Sequence, residues 1–205
     1  RDTDLSPSLG LSFAINDDMT AYSKVSRGFK SGGWNSARLT RANVYAGPLP
    51  IPSVEATQAE LDAIKFDGET ITNYELGIKT ELMNGRLRLN ASAFYIDFDD
   101  MQRSVFSGLE GSVTTNAGEA RSQGFEIEIE AAPLESLRVS ASVGYADAIF
   151  KSFDPDDTVP GNLDGLRLSG PKWSGNVALT YRKTVANIGD VYAGLDYSYK
   201  SKSYG

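Results

Sequence analysis

The chain contains no cysteine and no histidine among its 205 residues. Without cysteine it can form no disulfide, no thiol nucleophile and no thiolate metal site. Without histidine it lacks the commonest general base and the commonest metal ligand. None of its serines stands in the G-x-S-x-G pattern of a nucleophile elbow. We therefore expect neither an enzyme nor a resident metal or cofactor.

Positive charge and long apolar runs are also scarce. Lysine and arginine number 20 against 27 aspartates and glutamates, which gives a formal net charge of −7. Nucleic-acid binding depends on cations that neutralise phosphates, so this balance argues against a nucleic-acid partner. No apolar run approaches the ~18 residues that a membrane-spanning helix requires, so the sequence predicts no such helix.

Alternation of apolar and polar residues is the dominant pattern. It is clearest on the two sides of the Asn84-Gly85 dipeptide, which favours a two-residue type I′ turn because both central residues need positive φ. Alternate side chains of a strand point to opposite faces, so each run has one apolar and one polar face. The pattern predicts eight strands, at 5–15, 19–30, 71–83, 86–102, 113–132, 137–151, 171–184 and 190–200.

The connections between these strands alternate between short and long. Short turns are predicted at 16–18, 84–85, 133–136 and 187–189, and longer loops at 31–70, 103–112 and 152–170. Tight turns at one end and long loops at the other are typical of a transmembrane β-barrel, whose strands cross the bilayer in about 9–11 residues. We predict an all-β, antiparallel up-and-down transmembrane barrel, present as an arc of about eight strands from a larger barrel.

The two faces of the predicted strands indicate which side meets lipid. The polar faces carry more charge than a packed interior tolerates, and a wide, water-filled lumen removes that conflict. These charged residues are Lys79, Glu81, Arg86, Arg88, Glu126, Glu128 and Glu130. Aromatic residues near the strand ends suit the interfacial girdles of a membrane barrel. We assign this role to Tyr22, Tyr95, Tyr145, Trp173, Tyr181, Tyr197 and Tyr199.

Several stretches resemble the C-terminal part of the barrel of a TonB-dependent outer-membrane receptor of the iron-complex (siderophore) type. They are YSKVSRGFKSGGWN at 22–35, YELGIKTELMNGRLRLNASAFYIDFDDMQ at 74–102, NAGEARSQGFEIEIEAAP at 116–133, LRVSASVGYADAIFKSF at 137–153 and LSGPKWSGNVALTY at 168–181. The resemblance implies a plugged barrel of about 22 strands in the bacterial outer membrane. It also implies uptake of ferric siderophores or another scarce nutrient chelate, with energy from the inner-membrane TonB complex.

The same resemblance implies that residues 1–205 are one partial barrel domain. The plug, the N-terminal region that contacts TonB and the last strands would then lie outside it, and outer-membrane lipid would surround the arc. Two alternatives remain open: a self-contained eight-stranded barrel that acts as an anchor or adhesin, and a soluble carbohydrate-binding β-domain. An eight-stranded barrel has an interior just filled by side chains, and the charged face fits that space poorly.

The long loop 31–70 is the predicted ligand-binding segment. It combines aromatic and cationic groups, which suit an anionic, aromatic iron chelate through stacking and charge. The candidate residues are Trp34, Arg38, Arg41 and Tyr45. The run 54–66 predicts a short helix with Ser53 as its N-cap. The alternative for this loop is that it folds over the barrel mouth and contacts no ligand.

Two further features are assigned structural roles. The loop 153–165 contains Asp154, Asp156, Asp157 and Asp164, but it lacks the glycine that an EF-hand turn requires. We expect a solvated loop there, with calcium binding as the alternative. Gly118 and Gly124 are expected to serve strand geometry rather than binding.

Overall fold

A computed structural model describes residues 4–35, 58–107, 111–116, 118–153 and 164–203. These residues form twelve strands and one short helix, α1 (Gln58–Ala63), which lies between β3 and β4. In chain order the strands are β1 (Ser8–Asn16), β2 (Met19–Lys30), β3 (Gly33–Trp34), β4 (Lys65–Phe66), β5 (Glu69–Leu82), β6 (Leu87–Asp99), β7 (Gln102–Ser107), β8 (Gly111–Asn116), β9 (Glu119–Leu134), β10 (Leu137–Ser152), β11 (Trp173–Val185) and β12 (Gly189–Lys200).

The eight long strands form one antiparallel sheet in the order β1-β2-β5-β6-β9-β10-β11-β12. Each strand pairs with the next long strand along the chain, as in an up-and-down barrel. Within the described residues β1 and β12 are the two edges, so the sheet is an arc and not a closed barrel. The eight predicted strands and their topology are confirmed.

The tight turns lie at one end of the sheet and the long connections at the other. The β5–β6 turn is wider than the predicted two-residue turn, because Met83 also has a positive φ of 56°, beside 56° at Asn84 and 79° at Gly85. β5 therefore ends at Leu82 and β6 begins at Leu87. The predicted sorting of the connections holds for the part of the chain that the structure describes.

Strand register gives the sheet one apolar and one charged face. Ala91 pairs with Ile127, and Ile127 pairs with Val143, all on the apolar face. That face is largely open: Leu11 is 70% and Leu76 63% exposed. The buried apolar residues of the described chain all lie at the long-loop end, and they are Ile64, Val113, Ala120, Phe150 and Phe153. A soluble β-domain buries its apolar face, whereas a barrel wall turns it to lipid.

Aromatic residues gather on the apolar face near the long-loop end. Phe125, Tyr145 and Trp173 stand side by side on three neighbouring strands. The Tyr145 and Trp173 ring centroids are 4.8 Å apart, and Phe125 lies 5.8 Å from each. Tyr74 and Tyr95 extend the belt with centroids 6.4 Å apart. Such a belt suits the interface between acyl chains and water.

Tyr22 does not belong to this belt, which corrects one sequence prediction. It pairs with Gly77 on the charged face, and its hydroxyl donates a 2.7 Å hydrogen bond to Glu75 Oε1. The alternation in β2 is irregular, so residue type alone suggested the wrong side. The register of β2 against β5 places Ala21, not Tyr22, on the apolar face opposite Ile78.

The connections 31–70 and 103–112 contain structure of their own. Helix α1 lies inside the predicted helical run, while Ser53 is outside the described residues. The segment predicted as a plain loop at 103–112 belongs to a hairpin, β7–β8, of which Ser107 pairs with Gly111. Positive φ values of 53° at Asp100 and 97° at Gly118 separate this hairpin from β6 and β9. The sequence analysis placed both positions inside uninterrupted strands, 86–102 and 113–132, and these breaks correct it.

Helices in the described residues are too short and too polar to cross a bilayer.

Candidate functional site

Three amide side chains join the base of the 31–70 connection to the β7–β8 hairpin. We call Asn35, Gln102 and Asn116 the amide clamp. Gln102 is buried, and its Nε2 donates hydrogen bonds of 2.9 Å to the carbonyl oxygens of both Ser31 and Asp67. Its backbone N–H donates a 2.8 Å bond to Oε2 of the buried Glu69. One side chain thus holds both ends of the connection against β7.

The other two members of the amide clamp satisfy backbone groups in the same region. Asn116 Nδ2 donates to the Asp67 carbonyl at 3.0 Å, and its Oδ1 accepts from the Asp67 N–H at 2.7 Å. Asn35 is buried, and it exchanges bonds of 2.8 and 2.7 Å with the carbonyl and N–H of Thr114. Buried amides bonded on both sides fix a single geometry, because each lost bond leaves a polar group unsatisfied.

The amide clamp positions Trp34, the residue before Asn35. Trp34 pairs with Lys65 in the short β3–β4 ladder, and its side chain is 54% exposed. An exposed indole held on an ordered base is available for stacking on a planar ligand. Of the four predicted ligand-binding residues, the structure describes only this one. Arg38, Arg41 and Tyr45 lie outside the described residues.

A second aromatic and cationic group lies at the same end. The Arg103 guanidinium lies 5.4 Å from the Phe150 ring centroid and 5.8 Å from that of Phe153. The two rings pack edge to face at 5.2 Å. Ala120 completes their buried cluster, and Met101 packs against it. A cleft of about 500 Å³ opens beside Arg103, Met101 and Phe150.

The acidic loop adds one contact to this cluster. Asp164 Oδ1 accepts a 2.7 Å hydrogen bond from the Phe153 N–H, so its carboxylate closes the loop. Asp154, Asp156 and Asp157 lie outside the described residues. In the part of the chain that the structure describes, no three acidic side chains come close enough to hold a metal ion.

Sequence reasoning missed the amide clamp and the Arg103 cluster. A signal for the clamp was present, because Asn35 and Gln102 are the last residues of two family-like stretches and Asn116 is the first residue of another. Those stretches extend past the strands to the residues that hold the loops. No comparable signal marked Arg103, which lies in a segment predicted as a plain loop.

Comparisons with known proteins agree with this architecture. A model of the TonB-dependent receptor-like β-barrel family matches residues 1–205. The pesticin receptor of Yersinia enterocolitica is 32% identical over 121 residues, which cover 58% of this chain and 15% of the relative. The metal-pseudopaline receptor CntO of Pseudomonas aeruginosa is 33% identical over 117 residues, which cover 57% of this chain and 15% of the relative.

Solved structures show the same fold at lower identity. The ferric yersiniabactin uptake receptor FyuA from Yersinia pestis superimposes with a TM-score of 0.64 at 20% identity, over 93% of this chain and 25% of its own. The ferric preacinetobactin receptor BauA from Acinetobacter baumannii gives 0.65 at 20% identity, over 97% of this chain and 26% of its own. The chain spans about 15% of the length of the curated relatives that it matches. With the family model matched from the first residue to the last, the chain belongs to the TonB-dependent receptor family, as part of its β-barrel.

Proposed function

We propose that these residues form a ligand-receiving part of an outer-membrane receptor that imports a ferric siderophore or a similar nutrient chelate. Barrels of this family lie in the bacterial outer membrane, and this chain is part of such a barrel. The relatives are named as receptors for pesticin and for a metal–pseudopaline complex, and none of these names describes an enzyme. The observation that supports the proposal is the contrast between the two parts of the structure. The amide clamp holds the connections at the long-loop end in one geometry, while the apolar face of the strands is open, as in a sheet that faces lipid.

The amide clamp supports a binding role for the loop that it holds. A ligand that arrives from outside the cell meets the long-loop end first. There the clamp presents Trp34, and the neighbouring cluster presents Arg103. An indole and a guanidinium together suit an anionic chelate with aromatic groups. We propose that Trp34, Arg38, Arg41 and Tyr45 contact this ligand.

The chain's two tryptophans provide a matched binding experiment. In the full-length receptor, substituting Trp34→Ala, Arg38→Gln and Arg41→Gln together should weaken ferric-siderophore binding to intact cells at least tenfold. Such a loss corresponds to about 1.4 kcal/mol, the scale of one stacking or charged contact. Trp173→Phe, on the lipid-facing belt, should leave affinity unchanged. Equal affinity of the triple variant and the parent would remove these residues from the ligand site.

Energy coupling through TonB is the second part of the proposal. The contact with TonB would lie in the N-terminal region of the whole protein, outside these residues. Cells that lack TonB should bind the radiolabelled ferric complex at their surface but should not accumulate it. Accumulation at the parental rate in such cells would show that the barrel is a passive pore. The binding experiment and the uptake experiment therefore test separate parts of the proposal.

A further inference from the structure

The cleft beside Arg103 opens on the inner side of the sheet and not towards lipid. Phe98 pairs with Ala120, and Ala120 pairs with Phe150. In β6, Phe98 lies an even number of residues from Arg88, so both side chains stand on the charged, lumen-facing side. The buried Phe150 ring forms part of the cleft wall. An occupant of this cleft therefore reaches it from the lumen or from outside the cell, and lipid headgroups outside the wall cannot.

The two faces of the sheet exchange polarity at the long-loop end. On the outer face, Asp97 pairs with Arg121 and lies two residues beyond Tyr95 of the aromatic belt. On the inner face at the same level, Phe98 and Ala120 belong to an apolar cluster. The outer face is therefore suited to water at this level, whereas the inner face presents apolar surface. A ligand that arrives from outside the cell meets this apolar inner wall together with the guanidinium of the cleft.

The Arg103 charge has no counter-charge among the described residues. Its guanidinium lies over the Phe150 and Phe153 rings, and the residue is exposed. The rings attract the cation, but they provide no carboxylate and no conventional hydrogen-bond acceptor for its five N–H donors. In the described part of the chain, no carboxylate forms an ion pair with this guanidinium. Its donors are therefore available to an anion that enters the cleft.

We propose that Arg103 is a specificity-determining residue, which selects ferric chelates with a negatively charged aromatic arm over neutral hydroxamate chelates. The arm lies in the cleft of about 500 Å³ beside Met101, Phe150 and Leu168, with its negative oxygens on the Arg103 N–H groups. A cleft of this size with several apolar side chains suits one aromatic group. This inference rests on the proposed function and adds to it the class of chelate and the residue that recognises it.

The same geometry disfavours a neutral chelate. A neutral chelate in this cleft would cover the Arg103 charge without supplying an anion. Removing a charged group from water without a counter-charge is unfavourable, and the two rings beneath it offset only part of that cost. The selectivity therefore has two sources, the attraction of an anionic arm and the penalty on a neutral one.

Binding of two radiolabelled ferric complexes to intact cells tests this role in the full-length receptor. The first probe is ferric enterobactin, an anionic tris-catecholate, and the second is ferrichrome, a neutral trihydroxamate. The cells lack their other ferric receptors, and the amount of each variant at the surface is measured. The parent should bind the tris-catecholate at least about tenfold more tightly than the trihydroxamate. Arg103→Gln should weaken tris-catecholate binding roughly tenfold or more and should not weaken trihydroxamate binding.

Two further variants separate charge recognition in the cleft from a general effect. Arg121→Gln removes the same charge at the same end of the sheet but on the outer face, and it should leave both affinities unchanged. Arg103→Lys keeps the charge and should lose less tris-catecholate affinity than Arg103→Gln. Equal weakening of both complexes by Arg103→Gln, or equal losses in the lysine and glutamine variants, would refute the role of Arg103. A parent that binds both complexes equally would also refute only this role, whereas a parent that binds neither would refute the proposed function with it.

Discussion

Gly124 is predicted to be a position where even one methyl group destabilises the barrel. It pairs with Phe94 of β6 and Ala146 of β10. A Cβ there would overlap the carbonyl oxygen of Tyr145 and lie 2.9 Å from Phe94 Cζ. The Phe94 ring can turn away, but the carbonyl belongs to the backbone of β10 and moves only if β9 and β10 separate. Such overpacking costs about 1–3 kcal/mol, and lower entropy of the unfolded chain returns about 0.4–1 kcal/mol.

We therefore expect Gly124→Ala to lower the free energy of unfolding by about 1–2 kcal/mol. Urea titration of the full-length protein in phospholipid vesicles, followed by tryptophan fluorescence, measures this change. Gly144→Ala on β10 is the control, because the nearest atom to its Cβ is Ser174 Oγ at 3.3 Å, which can rotate away, and Glu126 Cγ and the Phe125 carbonyl oxygen lie at ordinary contact distances of 3.8 and 4.0 Å. Adding Phe94→Ala to Gly124→Ala should restore little stability, since the Tyr145 carbonyl remains. Equal unfolding midpoints for the two alanine variants would refute the argument.

Three further predictions concern the two ends and the wall of the sheet. Gln102→Leu should speed protease cleavage within 31–70 on intact cells, because two backbone carbonyls lose their hydrogen-bond donor. Gln58→Leu on the exposed helix should not change the cleavage rate. Equal cleavage rates for the two variants would contradict the role of the amide clamp in holding this connection. Trp173→Ala should lower the free energy of unfolding by about 1–3 kcal/mol through two lost ring pairs, and Trp173→Phe by about half of that, in the same urea titration. Arg88→Gln should change that free energy by less than about 1 kcal/mol, because both of its ion pairs are exposed. A loss above about 1 kcal/mol that persisted in 0.5 M salt would show that these pairs are stronger than their geometry indicates.

The barrel wall was predictable because period-2 alternation and turn residues are local properties of the chain. Eight strands and their order followed from them, with ends close to those observed. Tyr22 shows where this reasoning fails: its side is fixed by pairing with β5, and an irregular strand carries no local record of that register. The β7–β8 hairpin was missed for a related reason. Asp100 and Gly118 break the strands through a positive backbone φ, which the strand prediction did not take into account.

The candidate site was less predictable than the wall. Residue type drew attention to Trp34, and the structure confirms that it is exposed at the long-loop end. The side chains that hold its segment are uncharged amides, which are common in loops and carry no pattern of their own. Their role depends on which carbonyls lie opposite them, as with Gln102 and the Asp67 carbonyl. Such partners are 35 residues apart in the chain and are brought together only by the fold.

The distribution of buried residues shows that the barrel wall and the long-loop end are stabilised in different ways. Along the strands the apolar face of the described sheet is open, so its stability depends on the bilayer and on backbone pairing. At the long-loop end the structure depends on a small protein core of Phe150 and Phe153 and on the amide clamp. Substitutions in the clamp should therefore alter ligand affinity while leaving urea unfolding of the wall unchanged. Substitutions in the lipid-facing belt should lower the free energy of unfolding and leave ligand affinity unchanged. A variant that changed both quantities by similar free energies would show that the wall and the long-loop end fold as one unit.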